Sequence, residues 1–191
     1  MVEKPQLYFK QHSEWRLWLA ENHQQFKGVY LIFYKVASEE ESMRWEEAVK
    51  VALCFGWIDS TVKSLGNGKR QQYFCPRNPK SVWSALNKKY LVQLFADDLM
   101  HSSGITTIET AKRNGSWIAL DAVEKLIIPK ELQTQFDKNK TAFTNYQNFA
   151  PSYRKNYLSW LNQAKREATQ QKRISEIMKL CEQNIKSRGD W

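Results

Sequence analysis

The dipeptide Asn67-Gly68 constrains the fold more than any other feature, because it favours a two-residue type I′ turn between antiparallel strands. The flanking residues 57–62 and 70–75 are rich in β-branched and aromatic side chains, which are typical of strands. If the dipeptide is the turn, regular pairing places Asp59 opposite Pro76. Strand alternation would then put Trp57, Asp59 and Thr61 on one face of the hairpin.

Helical and extended patterns alternate around this hairpin. Residues 29–34 are apolar on both faces, as in a central strand. Helix starts are predicted at Ser13, within 38–42 and at Ser81, where caps precede apolar residues at helical spacing. Only helical signals follow residue 121. We therefore predict an α+β fold, in which a small antiparallel sheet of about three strands packs with helices and an all-helical C-terminal part follows.

The helix that follows Ser81 is expected to be long and to bury one apolar face. Its spacing assigns the inward positions to a set of large side chains. These are Trp83, Leu86, Tyr90, Leu91, Leu94 and Phe95.

Further helix boundaries follow from glycine and threonine positions. Gly104 is predicted to end an extension of the long helix, and Thr106 to begin a short helix that stops at Gly115. Thr169 is predicted to cap a second helix in the last stretch, which would then hold two helices rather than one rod. Two domains are expected, an α+β domain at 1–125 and a helical module at 126–191.

Composition excludes several classes of protein. The chain has 191 residues, 42% hydrophobic and 26% charged, which is typical of a folded soluble protein. It has no run of the roughly 18 to 20 apolar residues that a membrane span needs. The polar start Met1–Gln6 lacks the features of a signal peptide. The three cysteines, Cys54, Cys75 and Cys181, are widely spaced without a CxxC or zinc pattern, and a Cys54–Cys75 disulfide is the alternative to reduced thiols. We therefore expect a cytoplasmic protein with reduced thiols and no membrane span.

The formal charge of +9 is concentrated in two blocks. Residues 60–96 carry seven Lys or Arg and no acid, and residues 152–188 carry nine Lys or Arg against three Glu. If the two blocks meet in the fold, they form one positive surface that attracts anions. The alternative is that they are two separate, solvated helix faces.

A sharper hypothesis places an anion site in the loop between the hairpin and the following helix. A helix start offers free backbone N–H groups, and the fork of Arg77 suits a phosphate, sulfate or carboxylate. The alternative is that Ser81 only caps the helix while Arg77 pairs with Asp59. The candidate ligand-binding residues are Trp57, Asp59, Arg77, Ser81, Trp83, Ser84 and Asn87, with Arg154 and Lys165 joining from the C-terminal helices.

Catalytic and metal signals are weak. The S-x-x-K pattern occurs at Ser60–Lys63 and at Ser152–Lys155, without the partner motifs of serine acyl transfer. In the strand the two side chains face opposite ways, and Ser152 is better explained as a cap. His12, His23 and His101 are too scattered in sequence for a metal site, so no metal and no cofactor is predicted. Whether the chain is an enzyme stays open.

Taken together, several spaced blocks resemble the YdeI/OmpD-associated family, also labelled bacteriocin-protection proteins. The similarity extends over nearly the whole chain, and the part from about Ile128 is similar to the helical module of that family. The blocks are Asn22-His23, Cys54–Asp59, Pro76-Arg77, Ser81–Ser84 with Asn87, Gly115 with Trp117, Ser152–Lys155 through Trp160, Ala164–Arg166 and Lys172–Ile174.

The resemblance implies a link to tolerance of cationic antimicrobial peptides, without an established reaction. Two departures from the family bear on this expectation. Some family descriptions place members in the periplasm beside a porin, whereas this chain shows no export signal. The family motif also ends in Thr-Arg where this chain has Thr169-Gln170, so one basic group is missing.

Three functions remain open at this stage. The first is a protein that binds an anionic small molecule or polyanion and contributes to envelope stress tolerance. The second is a nucleic-acid-binding protein, because the basic blocks contain aromatic residues suited to stacking. The third is an enzyme that uses Asp59 as acid or base. Direct capture of cationic peptides is disfavoured, since a protein of charge +9 repels them at long range.

Overall fold

The computed structural model describes residues 4–189 and divides the chain between Ile118 and Ala119. The first unit contains a sheet and helices, and the second contains helices. The polar start Met1–Glu3 lies outside the described residues. The predicted α+β class with a helical C-terminal part is confirmed.

The sheet of the first unit has four strands in the order β1-β2-β4-β3. Its extra strand relative to the prediction is β1, only three residues long, which pairs in parallel with β2. So short a strand leaves no alternation to detect. The central position predicted for residues 29–34 is confirmed. The strands are β1 Gln6–Tyr8, β2 Val29–Tyr34, β3 Trp57–Gly66 and β4 Lys69–Pro76.

The predicted hairpin turn is confirmed, but the predicted register is wrong. Gly66 pairs with Lys69 around Asn67-Gly68, and both turn residues have positive φ, as a type I′ turn requires. However, β3 carries one extra residue between Ser64 and Gly66 and another between Asp59 and Val62. Because of these two bulges, Asp59 lies opposite Phe74 rather than Pro76. The second bulge also interrupts the alternation expected at Thr61.

Four helices of the first unit cover the sheet and its ends. They are α1 His12–Asn22, α2 Trp45–Cys54, α3 Ala85–Ala96 and α4 Ser102–Arg113. The first helix begins one residue before the predicted cap at Ser13. The second begins after the acidic stretch 38–42, because the carboxylate of Glu47 accepts from the backbone N–H of Arg44 at 2.7 Å and so caps the helix there.

The start and the buried face of α3 also differ from the prediction. The hydroxyl of Ser81 donates to the carbonyl of Asn78 at 2.8 Å, within a turn, whereas Ser84 accepts from the N–H of Asn87 and caps α3. Ser84 is therefore the cap, three residues after the predicted one. With this start, Leu86 and Phe95 lie on the exposed side of the helix, and Tyr90, Leu91 and Leu94 are buried, as is Trp83 before the helix.

Gly104 lies inside α4 and does not end a helix, contrary to the prediction. A Cβ atom there would lie 2.2 Å from the carbonyl oxygen of Cys54, so the absence of a side chain lets α4 pack directly on the end of α2. Thr106 is likewise internal, and His101 caps α4 by accepting from the N–H of Ser103. The helix ends at Arg113, just before Gly115, as expected.

Aromatic packing dominates the core of the first unit. The ring of Trp15 lies 6.2 Å from that of Trp57 and 5.9 Å from that of Phe74, both edge to face. Each indole N–H is satisfied internally, since Trp15 donates to Ala48 O at 3.2 Å and Trp57 donates to His23 O at 3.1 Å. These bonds join both rings to neighbouring segments of backbone.

The second unit is built from helices around its own core. The segment after Pro151 forms two separate helices, as predicted. The second of them is capped at Arg166, and Thr169, the predicted cap, lies inside the helix. The core includes Phe136, Tyr146 and Ile177. None of the helices within residues 4–189 is long and apolar enough to cross a membrane. The helices are α5 Asp121–Glu124, α6 Lys130–Lys138, α7 Lys140–Asn148, α8 Pro151–Asn162 and α9 Glu167–Glu182.

The close contact at Gly104 predicts a large stability cost for the variant Gly104→Ala. The added methyl group meets backbone that cannot rotate away, so we expect the free energy of unfolding to fall by about 2 kcal/mol or more. Urea unfolding followed by tryptophan fluorescence reports the first unit, which contains six of the eight tryptophans. The exposed neighbour Ser102→Ala is the control, with a change below about 0.5 kcal/mol. Equal stabilities for the two variants would contradict the packing.

Candidate ligand-binding site

Two of the predicted site residues, Trp57 and Trp83, are almost fully buried. Trp57 belongs to the aromatic core and donates its N–H to a backbone carbonyl. Trp83 packs against Trp117, with the ring centroids 5.2 Å apart. Both side chains therefore stabilise the fold and neither forms an accessible wall of a ligand site.

Arg77 is also buried, with only 8% of its surface exposed. Its guanidinium stacks 3.7 Å from the centroid of the Trp83 ring and donates through Nη2 to the carbonyl of Val82. Nε and Nη1 are buried without an acceptor among the described residues. Burial lowers the pKa of Arg77 to about 10, against the opposing effect of the Asp59 charge, so the group stays charged at neutral pH.

Asp59 is engaged by two other side chains. Its Oδ2 accepts from the indole N–H of Trp45 at 2.9 Å and from the side-chain amide of the buried Gln72. Within residues 4–189 no ion pair joins Asp59 to Arg77, so the pairing considered from the sequence is not present. Asp59 instead connects β3 and β4 to the first residue of α2.

The remaining predicted residues fall into two groups. Ser81, Ser84 and Asn87 form the turn and cap that lead into α3, close to Arg77 in the chain. Arg154 and Lys165 belong to the second unit, where Arg154 is half-buried and Lys165 is exposed. Whether the two basic blocks share one surface stays a prediction.

A cleft of about 590 Å³ opens at the other end of the hairpin, around its turn. It lies between the end of β2, the start of α2 and the turn joining β3 to β4. No sequence pattern predicts this site. Its lining residues are Phe33, Tyr34, Lys35, Val36, Met43, Arg44, Trp45, Val62, Ser64, Gly66, Asn67, Gly68, Lys69 and Arg70.

Four cations line this cleft, and no acidic residue does: Lys35, Arg44, Lys69 and Arg70. Among the described residues none of the four has a carboxylate partner within 4 Å. Two of them lie over rings, with the ammonium of Lys69 5.8 Å from the Tyr34 centroid and the guanidinium of Arg70 5.5 Å from the Phe33 centroid. Because Lys69 and Arg70 are adjacent strand residues, their side chains lie on opposite faces of the sheet, and the four cations surround the cleft. Unpaired cations around a concave surface produce a positive potential there.

An apolar wall completes the cleft. Val36 and Val62 are 78% and 57% exposed, which is unusual for two valines that line one concavity. Tyr34 and Trp45 are half-buried, and the Trp45 indole is held at its N–H by Asp59. The cleft therefore combines cations at its border with a wall whose tryptophan is held by a hydrogen bond.

The sequence held part of the signal for this cleft. Lys69 and Arg70 belong to the first basic block, next to a turn that was identified correctly. Lys35 and Arg44 flank the segment 38–42, which predicts a helix start. The sequence therefore associates these two cations with α2 and not with the hairpin. The missing information was tertiary, namely that the segment 35–44 runs beside the hairpin turn.

Two of the histidines judged too scattered lie together in the structure. The rings of His23 and His101 are 5.0 Å apart, and Phe55 stacks on His101 at 4.9 Å. Nδ1 of His23 donates to the Leu19 carbonyl at 2.8 Å, and its buried Nε2 has no partner among the described residues. Burial lowers the pKa of His101, and His23 and Arg16 lower it further. No group of three or more metal-ligating side chains occurs within residues 4–189.

The fold and the cleft define a two-unit protein, an α+β unit with a basic cleft followed by a helical unit. Residues 7–107 match the family model described as Domain of unknown function (DUF8412). That match spans more than half of the chain, so the protein belongs to this family. Residues 125–184 match the family model described as Bacteriocin-protection, YdeI or OmpD-Associated.

The expected YdeI/OmpD-associated resemblance is thus confirmed for the C-terminal part, while the family model for most of the first unit is a different one. The cleft lies entirely within residues 7–107. Comparisons with curated proteins and with solved structures find no match.

The burial of Arg77 predicts that its role in the isolated protein is structural. Arg77→Met keeps the long apolar stem over Trp83 and removes two unsatisfied buried donors, so we expect the stability to change by less than about 1 kcal/mol. Arg77→Ala empties the space beside the ring and should cost about 2 to 4 kcal/mol. Urea unfolding at pH 7.5 measures both. A loss for Met as large as that for Ala would contradict this expectation and show that the guanidinium itself stabilises the loop.

The lowered pKa of His101 predicts a loss of stability in acid. Because the pKa is lower in the folded chain than in the unfolded chain, the unfolded chain binds the proton more readily and acid favours unfolding. His101→Asn retains an acceptor at the cap position of α4 and removes the titrating group. From pH 7.5 to pH 5, the urea midpoint of the wild-type protein should therefore fall further than that of the variant. Equal falls would refute the role of His101.

Proposed function

We propose that this bacteriocin-protection-like protein binds an anionic small molecule in the basic cleft of its first unit. The observation that carries the proposal is that four cations, without carboxylate partners among the described residues, border one concavity. An anion there would pair with charges that the fold leaves unneutralised. The proposal keeps the class of ligand expected from the sequence and moves its site from the loop at Arg77 to the hairpin turn.

The move to the hairpin turn rests on access. Arg77 is buried, stacked on Trp83 and bonded to Val82, so a ligand would first have to open the loop. Lys35, Arg44 and Arg70 are exposed at the rim of the cleft. Charge-assisted hydrogen bonds from such groups to a phosphate or carboxylate form without rearrangement of the core.

The shape of the cleft favours a small ligand. Its volume of about 590 Å³ lies within the range of small-molecule sites, roughly 300 to 1,000 Å³. A positive cleft repels cationic peptides, so a contribution to peptide tolerance would be indirect and would pass through the anionic ligand.

Titration calorimetry with pyrophosphate tests this proposal at pH 7.5 and low salt. Wild-type protein should bind, and Arg44→Gln and Lys69→Gln should each weaken binding roughly tenfold, since each removes a charge-assisted contact. Lys63→Gln is the matched control, because Lys63 is exposed on the same hairpin and does not line the cleft. Its affinity should stay within about twofold of wild type.

Two results would overturn the proposal. One is the absence of pyrophosphate binding by wild-type protein at millimolar concentration. The other is an equal loss of affinity in Lys63→Gln and in the cleft variants, which would indicate general attraction to a basic surface.

A further inference from the structure

We infer that the ligand of this cleft carries a flat aromatic ring next to several phosphate charges, the chemistry of a nucleoside diphosphate. This inference rests on the proposed function, because it assumes that the cleft binds an anion. It adds a second subsite, the ring wall, and a positioning residue, Asp59.

The ring subsite is organised around Trp45. The indole N–H of Trp45 is bonded to Asp59 Oδ2 at 2.9 Å, and the same oxygen accepts from Gln72. Gln72 is buried, so Asp59 is anchored to the sheet and the indole to Asp59. The ring plane is therefore set before any ligand arrives, which reduces the entropy lost on binding.

Exposed apolar groups in the cleft provide the rest of the ring subsite. Val36 and Val62 are largely exposed, and Val62 pairs with Gln72, on the face of the hairpin that carries Asp59. A flat group packed against Trp45 would cover apolar surface that water now contacts. Stacking on aromatic side chains is the common way in which proteins hold nucleobases.

Charge and position indicate the other half of the ligand. Arg44 directly precedes Trp45 in the chain, and Arg70 lies on the same face of β4 as Gln72, the other partner of Asp59. A ring stacked on this wall therefore carries its anionic group toward neighbouring cations. A single negative charge would leave three of the four cations unpaired, whereas a diphosphate matches most of them.

The size of the cleft favours a nucleoside diphosphate over pyrophosphate alone. Pyrophosphate alone would occupy the cation rim and leave the apolar wall wet. A nucleoside diphosphate, at a few hundred cubic ångströms, suits a site of the usual small-molecule range. We therefore expect the ring and the phosphates to contribute separately to affinity.

The test compares ADP, pyrophosphate, adenosine and geranyl diphosphate by calorimetry on the full chain. ADP should bind about tenfold more tightly than pyrophosphate, and adenosine should bind far more weakly than either. Trp45→Leu should abolish the preference for ADP while pyrophosphate affinity persists. Trp117→Leu, a tryptophan outside the cleft, should leave the preference unchanged.

Two substitutions of Asp59 test whether it positions the ring of Trp45. Asp59→Asn keeps an oxygen acceptor for the Trp45 N–H and should retain the preference for ADP, whereas Asp59→Ala should lose it. If Trp45→Leu does not fold, Val62→Ser at the exposed wall replaces it, with a reduced preference for ADP expected.

The outcomes distinguish the two proposals. Equal affinities for ADP and pyrophosphate, or tighter binding of geranyl diphosphate than of ADP, would overturn the ring subsite and leave the anion site standing. Failure of both ADP and pyrophosphate to bind, or equally tight binding of adenosine, would overturn the proposed function itself.

Discussion

The hydrogen bonds to Asp59 depend on two bulges in β3, and the arrangement of the cleft depends on those bonds. The two extra residues, one between Asp59 and Val62 and one between Ser64 and Gly66, together move Asp59 two positions along β4, from Pro76 to Phe74. From there its carboxylate accepts from Gln72 on the same face of the sheet and from Trp45 on α2. In a regular hairpin Asp59 would lie beside Arg77, and Trp45 would lose its acceptor.

The two ends of the hairpin consequently have different roles. At the end near Pro76, the guanidinium of Arg77 stacks on the ring of Trp83, and Ser84 caps α3. The loop at this end is therefore packed. At the turn, Gly66 and Gly68 carry no side chains, and a cleft opens between the hairpin and the start of α2. This open end, beside the segment 35–44, is where unpaired cations and exposed valines accumulate. The turn is therefore the accessible end of the hairpin, and the loop at Arg77 is the packed end.

Sequence patterns predicted the elements better than their junctions. The turn at Asn67-Gly68, the central strand β2 and the two last helices have local signals, namely positive-φ residues, β-branched runs and apolar stripes. The bulges in β3 have no local sequence signal, because no residue pattern within residues 59–66 distinguishes a regular strand from a bulged one. The start of α2 was missed since both the serines at 38–42 and Glu47 could cap it, and only tertiary packing selects one.

The candidate site was harder to predict for the same reason. The stacking of Arg77 and Trp83 joins neighbours in sequence, and these residues were grouped correctly, although burial turns them into a structural contact. Lys35 and Arg44 lie 25 residues or more from Arg70 in the chain and meet it only through the sheet register and the path of 35–44. A charge count by sequence block cannot detect such a convergence.

Amide ¹H–¹⁵N correlation spectra, recorded while pyrophosphate is added to the labelled protein, locate the anion site directly. If the anion binds at the hairpin turn, the largest shift changes fall on residues 35, 44–46 and 66–70, which surround the cleft. Changes concentrated at 77–87 would instead favour the loop at Arg77, and changes concentrated at 152–188 would favour the second basic block. Either result would contradict the assignment of the anion site to the hairpin turn.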